Sequence, residues 1–152
     1  ISSENIAIFL KLGAAIKEIW NQNNTLMHPV NSNVSQKLLG VSFFSTVTMN
    51  EMAISQKNLV VESTTFYDRS PCGTGTAGRM AILNTRGCLP VGASFENISI
   101  TGSIFSGTVL FNVKEGPMVG VESMLTGSAT VIGRAEWSFD QEDYLGLIEF
   151  KF

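Results

Sequence analysis

Residues 68–79 read DRSPCGTGTAGR, and they constrain the fold more than any other stretch because they write out how one helix must begin. Pro71 brings a fixed φ to the helix entry. Thr74 and Thr76 carry short hydroxyls that can accept from the orphan N–H groups of a first turn. Gly73 and Gly75 leave the backbone bare, so a ligand can approach the amides closely. Residues 77–83 are then almost wholly small or apolar. Cys72, placed at that start, sits at the positive end of the helix dipole, which favours the thiolate over the thiol. The same amides form an anion site. The segment is suited to holding a carboxylate beside a thiolate.

Around this helix the chain is punctuated by glycines. Residues 2–20 predict an earlier helix, with Ile6, Phe9, Leu10, Leu12, Ala14, Ile16, Ile19 and Trp20 on a broad apolar face and Ser2 or Ser3 as cap. The asparagines at 21–24 end it, and a loop follows through His28 and Pro29. Residues 38–47 and 58–62 predict strands, rich in Val, Phe and Thr. The cysteine helix runs to about Arg86 and is closed by Gly87. Because it is apolar on nearly every side, it is expected to be buried. Short β-prone runs follow at 99–105, 108–113, 118–122, 129–137 and 145–150. That spacing predicts an α+β fold in which an antiparallel curved sheet with tight turns, rather than βαβ units, wraps around one buried central helix.

At 152 residues the chain is one domain's worth, with 15% charged residues, 44% hydrophobic residues and a net charge of −3. That balance offers no basic surplus for nucleic acid. No apolar run reaches a membrane span and no signal peptide is visible, although the first residue is Ile1. Cys72 and Cys88 fall at opposite ends of one helix, roughly 20 Å apart at 1.5 Å per residue, beyond the ~7 Å a disulfide allows. Two unpaired thiols suit a reducing compartment, hence a cytoplasmic protein.

Other chemistries fit less well. Residues 73–78 form a literal G-x-G-x-x-G with Glu96 downstream, but residues 64–71 intervene where a dinucleotide fingerprint would follow a strand directly. The near match to a phosphate loop has Arg79 and Met80 where Lys and Ser/Thr belong. A Cys–His hydrolase would need His28, and nothing aims that loop histidine at the thiol. Two distant cysteines and one histidine give no ligand-spaced metal cluster. Asp68 either holds the turn, paired with Arg69, or binds a ligand. Phe66 and Tyr67 fit a pocket wall or the core equally, and Cys88 reads as a small buried residue.

The string DRSPCGTGT resembles the signature around the second catalytic cysteine of the proline racemase family. That family includes hydroxyproline 2-epimerases and trans-3-hydroxyproline dehydratases, and its lobes resemble those of diaminopimelate epimerase. Gly87 with Leu89, SITGSIFSG at 99–107 and TGSATVIG at 126–133 are similar to its later segments, so the likeness covers about the last two-thirds of the chain. Ile98 stands where the family usually has an acidic residue, and Ala77-Gly78 where it has Ser-Ala. The resemblance implies cofactor-independent inversion at Cα of proline or 4-hydroxyproline by two acid/base thiols. Cys72 would be one of them, Asp68 would contact the substrate's ring amine, and the Gly73 and Thr74 amides would take its carboxylate. The second thiol belongs to a Met-Cys-Gly-His-like motif, which does not occur here. Residues 1–152 would then be the C-terminal lobe of a two-lobe enzyme, with the N-terminal lobe outside this chain, weakly binding and inactive alone. Polar Glu62, Ser63 and Thr64 lean toward the hydroxylated ligand. A dehydratase, or a lobe that binds carboxylates without chemistry, is the alternative, and exposed sheet edges would favour a homodimer.

Overall fold

In the computed structural model, the structure describes residues 1–28, 31, 33–49 and 54–136. After a 3-10 turn at Ser3–Asn5, helix α1 spans Ile6–Asn23, starting and ending later than the expected 2–20, and Asn21 and Asn23 continue the helix rather than end it. Two short strands, β1 (Leu26–Met27) and β2 (Ser35–Gln36), pair with each other. The main sheet holds β3 (Val41–Phe44), β4 (Thr48–Met49), β5 (Ile54–Val61), β6 (Ser94–Ile98), β7 (Ile104–Glu115) and β8 (Met118–Thr126). Its order is β3-β5-β6-β7-β8, with β4 also pairing β5. Helix α2, Gly73–Thr85, lies between β5 and β6 in sequence.

Among the described residues every pairing is antiparallel except one: β5 and β6 run parallel, with Ile54 opposite Phe95 and Gln56 opposite Asn97. The expectation of a wholly antiparallel sheet without a βαβ unit is therefore corrected. A parallel neighbour needs a crossover of a dozen or more residues, and α2 with its flanking loops supplies one. Residues 99–102 form a turn rather than a strand, because the Ser99 hydroxyl accepts the Thr101 N–H at 3.2 Å and the Ser99 N–H reaches Ser103 O at 2.9 Å. Residues 127–136 carry no strand, and the strand expected at 145–150 lies outside the described residues, as does Trp137.

The alternation of β5 explains how it serves two helices. Ile54, Gln56, Asn58 and Val60 share one face, which meets α2, while Val61 on the other meets α1. Gly13 is the buried residue of α1, and a Cβ there would lie 2.8 Å from Val61. The Phe9 and Phe43 rings meet nearby, tilted at 52° with their centres 5.0 Å apart. On the α2 side, Met80 and Leu83 join Ile54, Leu89, Phe95 and Val109 in the core. Gly107 on β7 lets α2 come close, since a Cβ there would sit 2.5 Å from the Met80 sulfur.

Helix α2 buries only Thr76, Met80 and Leu83, a single stripe at i, i+4 and i+7, and Ile82 is 45% exposed. The expectation of burial on nearly all sides is corrected: the sheet reaches one side of the helix. Cys88 is exposed, not buried. Gly87, at φ 73°, turns the chain so that the Cys88 and Leu89 N–H groups close on Leu83 O, and Leu89 enters the core in place of the thiol.

Candidate functional site

The loop before α2 is built as a chain of hydrogen bonds between near neighbours. The Asp68 N–H bonds to Val60 O at 2.9 Å, which lays this loop along the end of β5. Asp68 Oδ1 accepts from the Ser70 N–H at 3.2 Å and the Ser70 hydroxyl at 2.9 Å. Ser70 Oγ in turn accepts the Cys72 N–H at 3.2 Å. Asp68 thus holds the turn, through Ser70 and not by way of Arg69.

Cys72 is the N-cap of α2, half-buried, at φ 64° and ψ 117°. Among the described residues it is the one non-glycine residue with positive φ. Its sulfur accepts the Gly75 N–H at 3.4 Å and lies 3.6 Å from Thr74 Oγ1. The carbonyl before it, Pro71 O, faces inward and accepts from Asn58 Nδ2 at 2.7 Å and Asn97 Nδ2 at 3.3 Å. Thr76 Oγ1 donates to Cys72 O at 2.7 Å and accepts from Asn97 Nδ2 at 2.9 Å. Asn58, Asn97 and Thr76 are all buried. The sequence reading missed both asparagines, although each is a polar residue at an inward position of a strand with apolar neighbours.

Beside this loop lies an open cleft of about 340 Å³. Cys72, Thr74 and Gly75 form one wall, Ser42 and Val60 the sheet side, and Leu39, Gly40 and Glu62 the rim. The rim is tied to α1: Lys17 Nζ donates to the carbonyls of Leu39, at 3.4 Å, and of Glu62. Asn21 exchanges two bonds with the Leu38 backbone, at 3.0 and 2.7 Å. Of the residues singled out from sequence, Cys72 and Thr74 line the cleft; Gly73, exposed at the first position of α2, and Asp68, half-buried in the loop before it, are not part of its lining. Phe66 is 57% exposed, and neither it nor Tyr67 lines this cleft.

Arg79, one turn further along α2, donates from Nε to Gln56 Oε1 at 2.8 Å and lies 3.9 Å over the Phe44 ring. Burial, with Arg86 nearby, lowers its pKa from the ordinary guanidinium value, and Cys88 partly offsets this. His28 is exposed, with Nδ1 accepting the Asn31 N–H at 3.1 Å. Among the described residues no three His, Cys, Asp or Glu side chains gather to hold a metal, and no helix is long and apolar enough to cross a membrane.

An α+β fold that presents a cysteine at a helix N-terminus, against a cleft, is the class of protein this structure defines. The proline racemase profile matches residues 1–146, well beyond the two-thirds that the sequence motifs cover, and the chain belongs to the proline racemase family. It is 32% identical over 145 residues to proline racemase of Clostridioides difficile, covering 95% of this chain and 42% of that protein. It is 33% identical over 139 residues to 3-hydroxyproline 2-epimerase of Burkholderia multivorans, covering 90% of this chain and 40% of the relative. The crystal structure of a hydroxyproline epimerase from Agrobacterium vitis, with bound trans-4-hydroxy-L-proline, superposes with a TM-score of 0.75 at 26% identity, over 87% of this chain and 37% of that one. A probable proline racemase from Agrobacterium radiobacter gives 0.76 at 27% identity, over 95% and 41%. The chain spans about two-fifths of the length of these relatives.

Proposed function

We propose that this chain is the C-terminal lobe of a cofactor-independent racemase or epimerase that inverts Cα of proline or 4-hydroxyproline, with Cys72 as one of its two acid/base groups. The observation that carries this reading is the placement of Cys72, a half-buried thiol at the start of α2 that lines a cleft with Thr74 and Gly75. The substrate carboxylate takes the first-turn amides of Gly73 and Thr74, which have no partner within the helix. Asp68 offers its Oδ2 to the ring ammonium, which stays protonated and withdraws electrons. Cys72, as thiolate, takes the Cα proton, so that the C–H bond breaks and an S–H bond forms. A second thiol, supplied by an N-terminal lobe, gives its proton to the opposite face of Cα. The charge that develops passes into the carboxylate, where the amides stabilise it. Glu62 at the rim gives a ring hydroxyl a polar partner, which favours 4-hydroxyproline over proline.

The test is α-proton exchange in D2O, followed by NMR, for L-proline and trans-4-hydroxy-L-proline with the full-length protein and its Cys72→Ser variant. Exchange that vanishes in the variant supports the assignment, and the faster substrate names the specificity. Exchange that persists in the variant removes Cys72 from the chemistry. Relatives also include trans-3-hydroxy-L-proline dehydratase of Burkholderia cenocepacia, at 32% identity. Loss of water from that substrate, without exchange of proline, would mark this protein as a dehydratase instead.

A further inference from the structure

Pro71 O is an acceptor only, so two buried side-chain amides that meet it must both present their NH2 groups. This leaves Asn58 Oδ1 and Asn97 Oδ1 buried without a partner among the described residues. Two such oxygens are a standing cost, because a buried unpaired acceptor has lost its water. Asn58 and Asn97 are 3% and 1% exposed, and they occupy the end of the sheet face beneath the start of α2, while Ile54, Phe95 and Val109 fill the apolar core around Met80 and Leu83. What they hold is the peptide immediately before Cys72, the residue with the left-handed backbone. Thr76 completes the grip, joining Asn97 to Cys72 O.

We infer that Asn58, Asn97 and Thr76 are positioning residues for the thiol: they pin the Pro71 and Cys72 carbonyls to the sheet and hold Cys72 in its left-handed conformation, with its sulfur at the Gly75 amide and facing the cleft. Gln56 on the same face serves Arg79 and the Ser45 carbonyl instead, so it is the two asparagines that this face gives to the peptide before Cys72. The catalytic meaning rests on the reading of Cys72 given above, but the positioning itself is testable without turnover.

Cys88 supplies an internal reference, an exposed thiol just beyond the other end of the same helix. The folded chain is labelled with limiting iodoacetamide at neutral pH, and the ratio of Cys72 to Cys88 alkylation is read by peptide mass spectrometry. In Asn97→Leu and Thr76→Val the sulfur leaves the Gly75 amide and turns away from the open cleft, and the ratio should fall by ~10-fold. Thr76→Ser, which keeps the hydroxyl, should restore it to within about twofold of the unaltered protein. A merely structural role would not separate Ser from Val while Cys88 is unaffected. A ratio that stays constant or rises in Asn97→Leu, or that is the same in Thr76→Ser and Thr76→Val, overturns the inference. If Asn97→Leu fails to fold, the Thr76 pair decides alone. Failure here leaves the exchange assay of Cys72→Ser untouched, so the two readings fall separately.

Discussion

At φ 64° Cys72 adopts a backbone that costs an L-residue roughly 1–3 kcal/mol, and such strain persists only where the surroundings over-determine it. Here they do: Ser70 binds its N–H, Thr76 its carbonyl, and Gly75 its sulfur. Serine accepts helix N–H groups well at an N-cap, so Cys72→Ser should keep the thermal midpoint of the parent. It should nevertheless lose ~10²–10⁴-fold in α-proton exchange in the full-length protein, because a hydroxyl is a far poorer base than a thiolate. A variant that is stable and still exchanges at the parent rate would contradict the role. Asp68 belongs to the same construction. Its Oδ1 fixes Ser70, so Asp68→Ala should loosen the loop as well as weaken binding of the substrate amine, seen as a rise in KM together with a fall in kcat.

The element that carries the site is α2, and its limits follow from two glycines. Gly87 sits at φ 73° just past the helix, where its N–H and that of Cys88 close on Asn84 and Leu83. Gly87→Ala should cost about 1 kcal/mol, because alanine resists the left-handed region. Gly107 sets how near the helix lies to the sheet: a methyl there meets Met80 at 2.5 Å and Leu125 at 2.8 Å. Gly107→Ala should therefore destabilise by about 1–3 kcal/mol as the buried ends of Met80 and Leu125 are forced aside. Urea unfolding of both variants checks the pair; a Gly107→Ala midpoint equal to the parent's would show that Met80 moves aside without cost.

At the scale of the whole molecule, the single parallel step between β5 and β6 decides which ends of strands meet. It places Asn58 of β5 and Asn97 of β6 under one helix start, with 39 residues of chain from one to the other (97 − 58). Among the described residues the sheet then ends in β8, on which Met118, Val119 and Met124 are 56%, 67% and 54% exposed. Exposed apolar edges invite strand pairing. Sedimentation velocity of this chain alone should show self-association that Val119→Lys reduces; a monomer at every concentration tested would count against an edge-mediated homodimer.

Local chemistry was legible in the sequence wherever one residue's own backbone or its near neighbours set the outcome. Pro71, the glycines at 73 and 75 and the closing Gly87 mark the start and end of α2, and the thiol at its head follows from them. The string at 68–76, with the segments at 99–107 and 126–133, was also enough for the family. The parallel joint was not legible, because strand direction depends on where a crossover helix lands rather than on periodicity within a strand. Nor were the exposure of Cys88 and the single buried stripe of α2, since composition says which residues are apolar, not how far a sheet reaches around them. The buried asparagines are the clearest case. In sequence they are two polar residues in two separate strands, and only tertiary packing brings both amides to one carbonyl and gives the cysteine its direction.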